Sequence, residues 1–170
     1  FHKPKLSTLK HWLINTNSKN IALNKEKINI LFLCGIDPVP KRVYQLVKSY
    51  PNFFIKPHPS KTKQLQKGLE RKVDMNDLNT IIKEYKYFVY ASMTSLALRV
   101  LALGGSIAWL DYGDLNSWNF LEGCKIHELN YISLEKLLEN VNQIPETNSQ
   151  ELIKSLVGSV NKLTPYDLSS

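Results

Sequence analysis

The stretch Phe53-Phe54-Ile55-Lys56-Pro57-His58-Pro59-Ser60 ends a short apolar run in a histidine held between two prolines. Proline fixes its own φ and drives the residue before it toward extended geometry. Lys56 and His58 are therefore expected to be extended, in a stiff loop. An ammonium and an imidazole on a rigid strand end suit an anionic ligand. Each charge-assisted contact to an oxyanion contributes about 1.5–3 kcal/mol, and an imidazole can also act as a general acid. The plain alternative is a Pro-x-Pro loop that binds nothing.

A second feature follows about thirty-five residues on. Tyr87-Phe88-Val89-Tyr90 runs into Ala91-Ser92-Met93-Thr94-Ser95, then an apolar helix, then Gly104-Gly105. A helix N-terminus carries unpaired backbone N–H groups and the positive end of a dipole. One hydroxyl there is explained by capping, whereas Ser92, Thr94 and Ser95 together also suit phosphate. Neither G-x-G-x-x-G nor a P-loop is present. Ligands of open α/β sheets bind at the carboxyl ends of strands. If the two strands are neighbours, both loops face one diphosphate or phosphodiester.

The elements needed to position these loops are legible. Ile28 to Leu33 is a nearly continuous apolar run that ends at Cys34-Gly35, with Asp37-Pro38 as turn chemistry. This pattern predicts a strand buried on both faces. Pro40 serves as a first-turn residue for a helix over 41–49. A strand is expected over 52–55 and a polar helix over 62–71. A helix over 74–85 would bury Met75, Leu78, Ile81 and Ile82, and the strand 87–90 follows it. The helix 94–103 is apolar except at Arg99, and the strand 106–110 ends in Asp111-Tyr112-Gly113-Asp114. Further on come a short strand over 125–129, a helix over 133–141 capped by Ser133, and an amphipathic helix over 152–163. Alternating strands and helices predict a Rossmann-like α/β fold: a parallel sheet with helices on both faces.

Length allows one domain with a real core. Residues 1–27 read as a linker and leader segment, with Trp12 as its large apolar anchor, and 28–170 as the domain. The chain opens on Phe1-His2-Lys3 without a methionine, and is expected to be a piece of a longer protein. Its formal charge of +7 favours anionic partners. The basic cluster Lys61, Lys63, Lys67, Arg71 and Lys72 lies just after the His58 loop; as a plain alternative it is a solvated helix face. No apolar run is long enough to span a bilayer. The two cysteines, Cys34 and Cys124, have no metal-ligand spacing and are expected to be reduced and structural. Asp111 and Asp114 read as turn residues rather than metal ligands, so no metal and no cofactor is expected. His2 and His11 read as solvated and His127 as structural. Trp109, Trp118 and Tyr112 read as packing residues around the Asp111 loop.

A strand ending in Lys-Pro-His-Pro, then a strand ending in a Ser/Thr cluster, a helix and a glycine, resembles the carboxyl-terminal half of certain GT-B glycosyltransferases. Bacterial sialyltransferases, capsule Kdo transferases and CDP-glycerol glycerophosphotransferases belong to this group. The resemblance covers roughly 28–110. It implies one half of a GT-B fold that binds the nucleotide of a sugar donor, CMP-linked sialic acid or Kdo being favoured. His58 and Pro59 would contact the donor phosphate or nucleotide, and Ser92, Thr94 and Ser95 the phosphate. Lys56 adds a cation beside them, and Gly35, Asp37, Arg99 and Asp111 are further candidates. Arg99 stands where such helices often carry a ribose-contacting Glu, and an Arg cannot accept a hydrogen bond. Transfer would be inverting and metal-independent, with His58 meeting charge on the leaving phosphate. The general base and the glycan or glycolipid acceptor site would lie in an amino-terminal domain outside this chain. The implied setting is bacterial lipopolysaccharide or capsule biosynthesis, in the cytoplasm or on the inner face of the membrane, where a basic surface suits peripheral association.

Two other classes remain open on the residues alone. A nucleic-acid-binding module fits the charge, but the basic residues are not interleaved with aromatics on a strand face. A non-catalytic nucleotide-binding module or scaffold would keep the α/β shell without the reaction.

Overall fold

The structure is a computed structural model and describes residues 29–64, 68–92, 94–111, 131–140, 144, 151 and 153–154. The leader 1–27, Ile28, the expected strand 125–129 and nearly all of the expected helix 152–163 lie outside these residues, as do His2, His11, Trp12, Tyr112, Asp114, Trp118, Cys124 and His127.

Five parallel strands form one sheet in the order β2-β1-β3-β4-β5. They are β1 (Ile30–Leu33), β2 (Phe53–Lys56), β3 (Tyr87–Tyr90), β4 (Ser106–Asp111) and β5 (Tyr131–Ser133). All residues of β1 and β3 are buried, as their unbroken apolar runs require of strands covered on both faces. At the edge, β2 alternates: Phe53 and Ile55 are buried, Phe54 and Lys56 half-buried.

Four helices with bounds among the described residues cover the sheet: α1 (Lys41–Ser49), α2 (Leu78–Glu84), α3 (Ser95–Ala102) and α4 (Leu134–Glu139). Val43, Leu46 and Val47 of α1 and Leu134 and Leu137 of α4 share one core with Ile30, Phe32 and Val89. Ile81 and Ile82 of α2 and Ala97, Val100 and Leu101 of α3 share the other with Leu31, Leu33 and Phe88. Going from β1 to β2 the chain moves one way along the sheet, and from β3 to β4 the other way. Crossovers keep one hand, so the helices change faces where the direction reverses. The fold is thus a Rossmann-like, doubly wound α/β sheet whose switch point lies between β1 and β3.

Local chemistry explains the ends of these elements. Pro40 sits at the N-cap of α1 rather than in its first turn, and its carbonyl accepts from Val43 and Tyr44. Tyr50 ends that helix in an extended conformation, as Pro51 demands. Asp77 caps α2 by accepting from the Asn79 and Thr80 N–H groups, Thr94 caps α3 through the Leu96 N–H, and Ser133 caps α4 through the Lys136 N–H.

Two expected helices differ from what forms. In place of a helix over 62–71 there are 3₁₀ turns at Pro59–Gln64 and Glu70–Lys72. Gly68, between them, takes φ +86°, which no α-helix accommodates. Lys72 does not lie on a solvated face. Its ammonium donates to the Tyr50 and Pro51 carbonyls at 2.6 and 2.7 Å and lies 5.1 Å from the centre of the Phe54 ring; burial lowers its pKa. The helix expected over 74–85 starts only at Leu78, and Met75 is 64% exposed rather than part of the buried stripe. Val73 instead bridges Ile55 in parallel, extending the sheet at the β2 edge. Asp74, buried, accepts from the Tyr85 hydroxyl at 2.6 Å and from the Asn76 N–H at 2.7 Å. Strand β5, placed just before α4, is the fifth strand; its residues were not expected to pair.

Helix α3 ends in a Schellman motif: Gly104 N–H bonds the Leu101 carbonyl and Gly105 N–H the Val100 carbonyl. Gly104 has φ +86°. A Cβ on Gly105 would fall 2.5 Å from Val100 Cγ1 and 2.8 Å from Ile82 Cδ1. Gly104→Ala is expected to cost about 1–2 kcal/mol for the left-handed backbone. Gly105→Ala is expected to cost more, up to about 3 kcal/mol, because two core side chains must move. Urea unfolding of both variants checks the order; equal midpoints would contradict this packing.

Candidate functional site

Strands β1, β2 and β3 end level with one another, Leu33 pairing with both Lys56 and Tyr90. Their carboxyl loops therefore share one edge of the sheet. The His58 loop follows β2 and the Ser92 turn follows β3, but these strands are not neighbours. β1 lies between them, and at 4.7–4.9 Å per strand the two loops stand about 10 Å apart.

On the β2 side of β1 the edge encloses a cavity of about 250 Å³. Its apolar wall comes from Cys34, Pro38, Val39, Tyr44 and Pro57, and its polar lining from Gly35, Asp37, His58 and Lys61. Of the residues singled out in the sequence, Gly35, Asp37 and His58 meet here. Lys61 and Tyr44 were not singled out for a site. Lys61 enters the sequence reading only as part of a basic cluster, and Tyr44 not at all. The turn that brings Lys61 to the cavity is closed by its N–H bonding the His58 carbonyl at 2.8 Å.

The His58 ring is held locally. Its Nδ1 lies 2.8 Å from the Ser60 hydroxyl and accepts the Ser60 N–H at 3.3 Å. A backbone N–H only donates, so Nδ1 is the acceptor and the neutral ring carries its proton on Nε2. Nε2 has no partner among the described residues. His58 therefore offers one oriented N–H donor.

The other expected site residues stand apart from the cavity. Lys56 points its ammonium at the Asn76 carbonyl (2.6 Å) and the Asp74 carbonyl (3.5 Å), where it fastens the chain before α2. Pro59 is exposed at the start of its 3₁₀ turn. Ser92 and Thr94 are buried, Thr94 as the cap of α3, and Ser95 is exposed. The Trp109 indole donates to the Ala91 carbonyl at 3.0 Å and braces the Ser92 turn against β4. Arg99 is exposed one turn into α3, and Asp111 ends β4. The structure thus presents two places on one edge: the His58 cavity and, at the switch point, the turn leading into α3.

No group of three or more His, Cys, Asp or Glu side chains among the described residues could hold a metal ion. No helix among them is long and apolar enough to cross a membrane.

No family model and no curated protein matches the sequence. Among solved structures the chain is similar to KpsC of Thermosulfurimonas dismutans, a β-Kdo 2,7-transferase, with 17% identity and a TM-score of 0.43 over 94% of this chain and 64% of that one. The chain spans less than two thirds of that protein.

Burial in the cavity's apolar wall has a measurable consequence. It pushes the Cys34 thiol up to about 12, and raises the Tyr44 hydroxyl, with Cys34 contributing less. Tyr85 is also raised, by burial and then by its bond to Asp74. For such groups the folded state holds a proton that the unfolded chain releases. An unfolded cysteine ionises near 8.5, so the stability due to Cys34 is complete below about pH 8.5 and is lost as pH rises toward about 12. The contribution of this thiol to the unfolding midpoint is expected to be level from neutral pH to about pH 8.5 and to fall above it, so the profile of Cys34→Ala should fall less steeply there. Parallel profiles for the two proteins would contradict the burial of this thiol.

Proposed function

We propose that this chain binds the nucleotide of an activated sugar, as the donor half of a bacterial surface-glycan glycosyltransferase. The observation that carries this reading is the cavity at the carboxyl edge of a doubly wound sheet, where such folds bind ligands. His58, whose ring carries an oriented N–H, and Lys61 line it beside an apolar wall. The separation of about 10 Å between the His58 loop and the Ser92 turn supports a ligand longer than a phosphate. A nucleotide-linked sugar can touch both: the cavity would hold the nucleotide's phosphate and ribose, and the α3 N-terminus with Ser92, Thr94 and Ser95 would hold the sugar's own carboxylate. A CMP-linked acidic sugar suits this best.

The reaction would be inverting. An acceptor hydroxyl, deprotonated by a carboxylate on another domain, attacks the anomeric carbon as its bond to the phosphate oxygen breaks. His58 Nε2–H would donate to that oxygen and Lys61 would offset its charge, so no metal is required. Lys56 and Lys72 spend their ammonium groups on backbone carbonyls, which takes two cations from the surface a nucleic acid would need.

His58→Ala is expected to weaken CMP, CDP or UDP binding by about 10-fold or more, the value of one charge-assisted hydrogen bond. Its unfolding midpoint is expected to stay unchanged, since the ring is half-exposed. Calorimetry with the three nucleotides tests this, and equal affinities for the variant and the parent protein would refute the role of His58.

A further inference from the structure

Resting on the nucleotide-binding reading above, we infer that Asp37 and Lys61 sort the two ends of the ligand in the His58 cavity, Lys61 taking phosphate and Asp37 accepting from ribose hydroxyls. The cavity would then prefer a ribonucleotide to its 2′-deoxy counterpart. Asp37 and Lys61 line the same cavity with opposite charge, yet they are not paired. The Arg42–Glu135 ion pair at 3.6 Å is exposed and involves neither residue. Neither the Asp37 carboxylate nor the Lys61 ammonium makes a hydrogen bond to another described residue.

Two uncompensated opposite charges in one cavity limit what fits. A pure polyanion would meet the Asp37 carboxylate and be repelled. A neutral sugar would leave Lys61 and the His58 N–H unused. A ligand with an anion at one end and hydroxyl donors at the other satisfies both walls. A carboxylate only accepts, and its two oxygens can take the two vicinal hydroxyls of a ribose together. The apolar wall of Val39 and Tyr44 completes the site beside a flat base. At about 250 Å³ the cavity accommodates part of a nucleotide rather than a whole nucleotide sugar.

Asp37 stands in the β1–α1 loop, between Gly35 and Pro38, and outside both cores. Asp37→Asn changes the charge with little change in shape, and Asp37→Ser serves as a second variant should the first lose stability. Calorimetry of the full chain with CMP and UDP, each beside its 2′-deoxy form, is the test. The parent protein is expected to prefer the ribonucleotide by about 10-fold. Asp37→Asn should bring the pair to near equality by weakening only the ribonucleotide. Lys61→Met should weaken both members alike and leave their ratio intact. A parent protein that binds both forms equally, or an Asp37→Asn variant that keeps the parental ratio, would overturn the inference and leave nucleotide binding standing. If the parent protein binds none of these nucleotides, both the reading and the inference fall.

Discussion

Burial of β1 and β3 on both faces is the constraint from which the remaining structure follows. Neither strand has a charged residue, and neither can present a face to water without exposing large side chains such as Phe32, Phe88 and Tyr90. Helices must therefore lie on both sides of the sheet. With parallel strands and one crossover hand, that is achieved by winding outward in two directions from the centre. The reversal between β1 and β3 is the result, and it gathers the carboxyl loops of β1, β2 and β3 on one edge. The candidate site is a consequence of how the core is covered.

The polar groups that survive burial serve the same layering. The chain between β2 and α2 has few apolar residues with which to pack, and it is tied down by hydrogen bonds. Asp74 accepts from Tyr85 and Asn76, Lys56 reaches the carbonyls of Asp74 and Asn76, and Lys72 reaches those of Tyr50 and Pro51. Desolvating an ammonium is costly, but each of these cations recovers hydrogen bonds from the backbone carbonyls it reaches. This stitching also covers β2, the edge strand that would otherwise expose an unpaired ladder. Net charge thus overstates what is available to a ligand.

The edge itself is divided. The cavity lies on the β2 side of β1 and the hydroxyl-bearing turn on the β3 side, with the Cys34-Gly35 loop between them. That division favours an elongated ligand with chemically distinct ends. It also gives the prolines a purpose: Pro57 and Pro59 stiffen the loop, while Ser60 orients the imidazole through Nδ1. A ring held in this way loses little freedom on binding.

Local patterns were enough to establish a great deal. Apolar runs at 28–33 and 87–90 point to strands of a parallel sheet, Ser133 and Thr94 to their helices, and Gly104-Gly105 to the end of α3. The proline-flanked histidine was conspicuous as a strand-end group. All of these depend on interactions within a few residues, which composition and spacing reveal. What only the tertiary structure decided was adjacency. The order of β1 between β2 and β3, the edge bridge at Val73, the capture of Lys56 and Lys72 by distant carbonyls, and the meeting of Asp37, Tyr44, His58 and Lys61 in one cavity all join segments remote in the chain. Such contacts follow from which faces must be covered together, and no short stretch of residues carries that information.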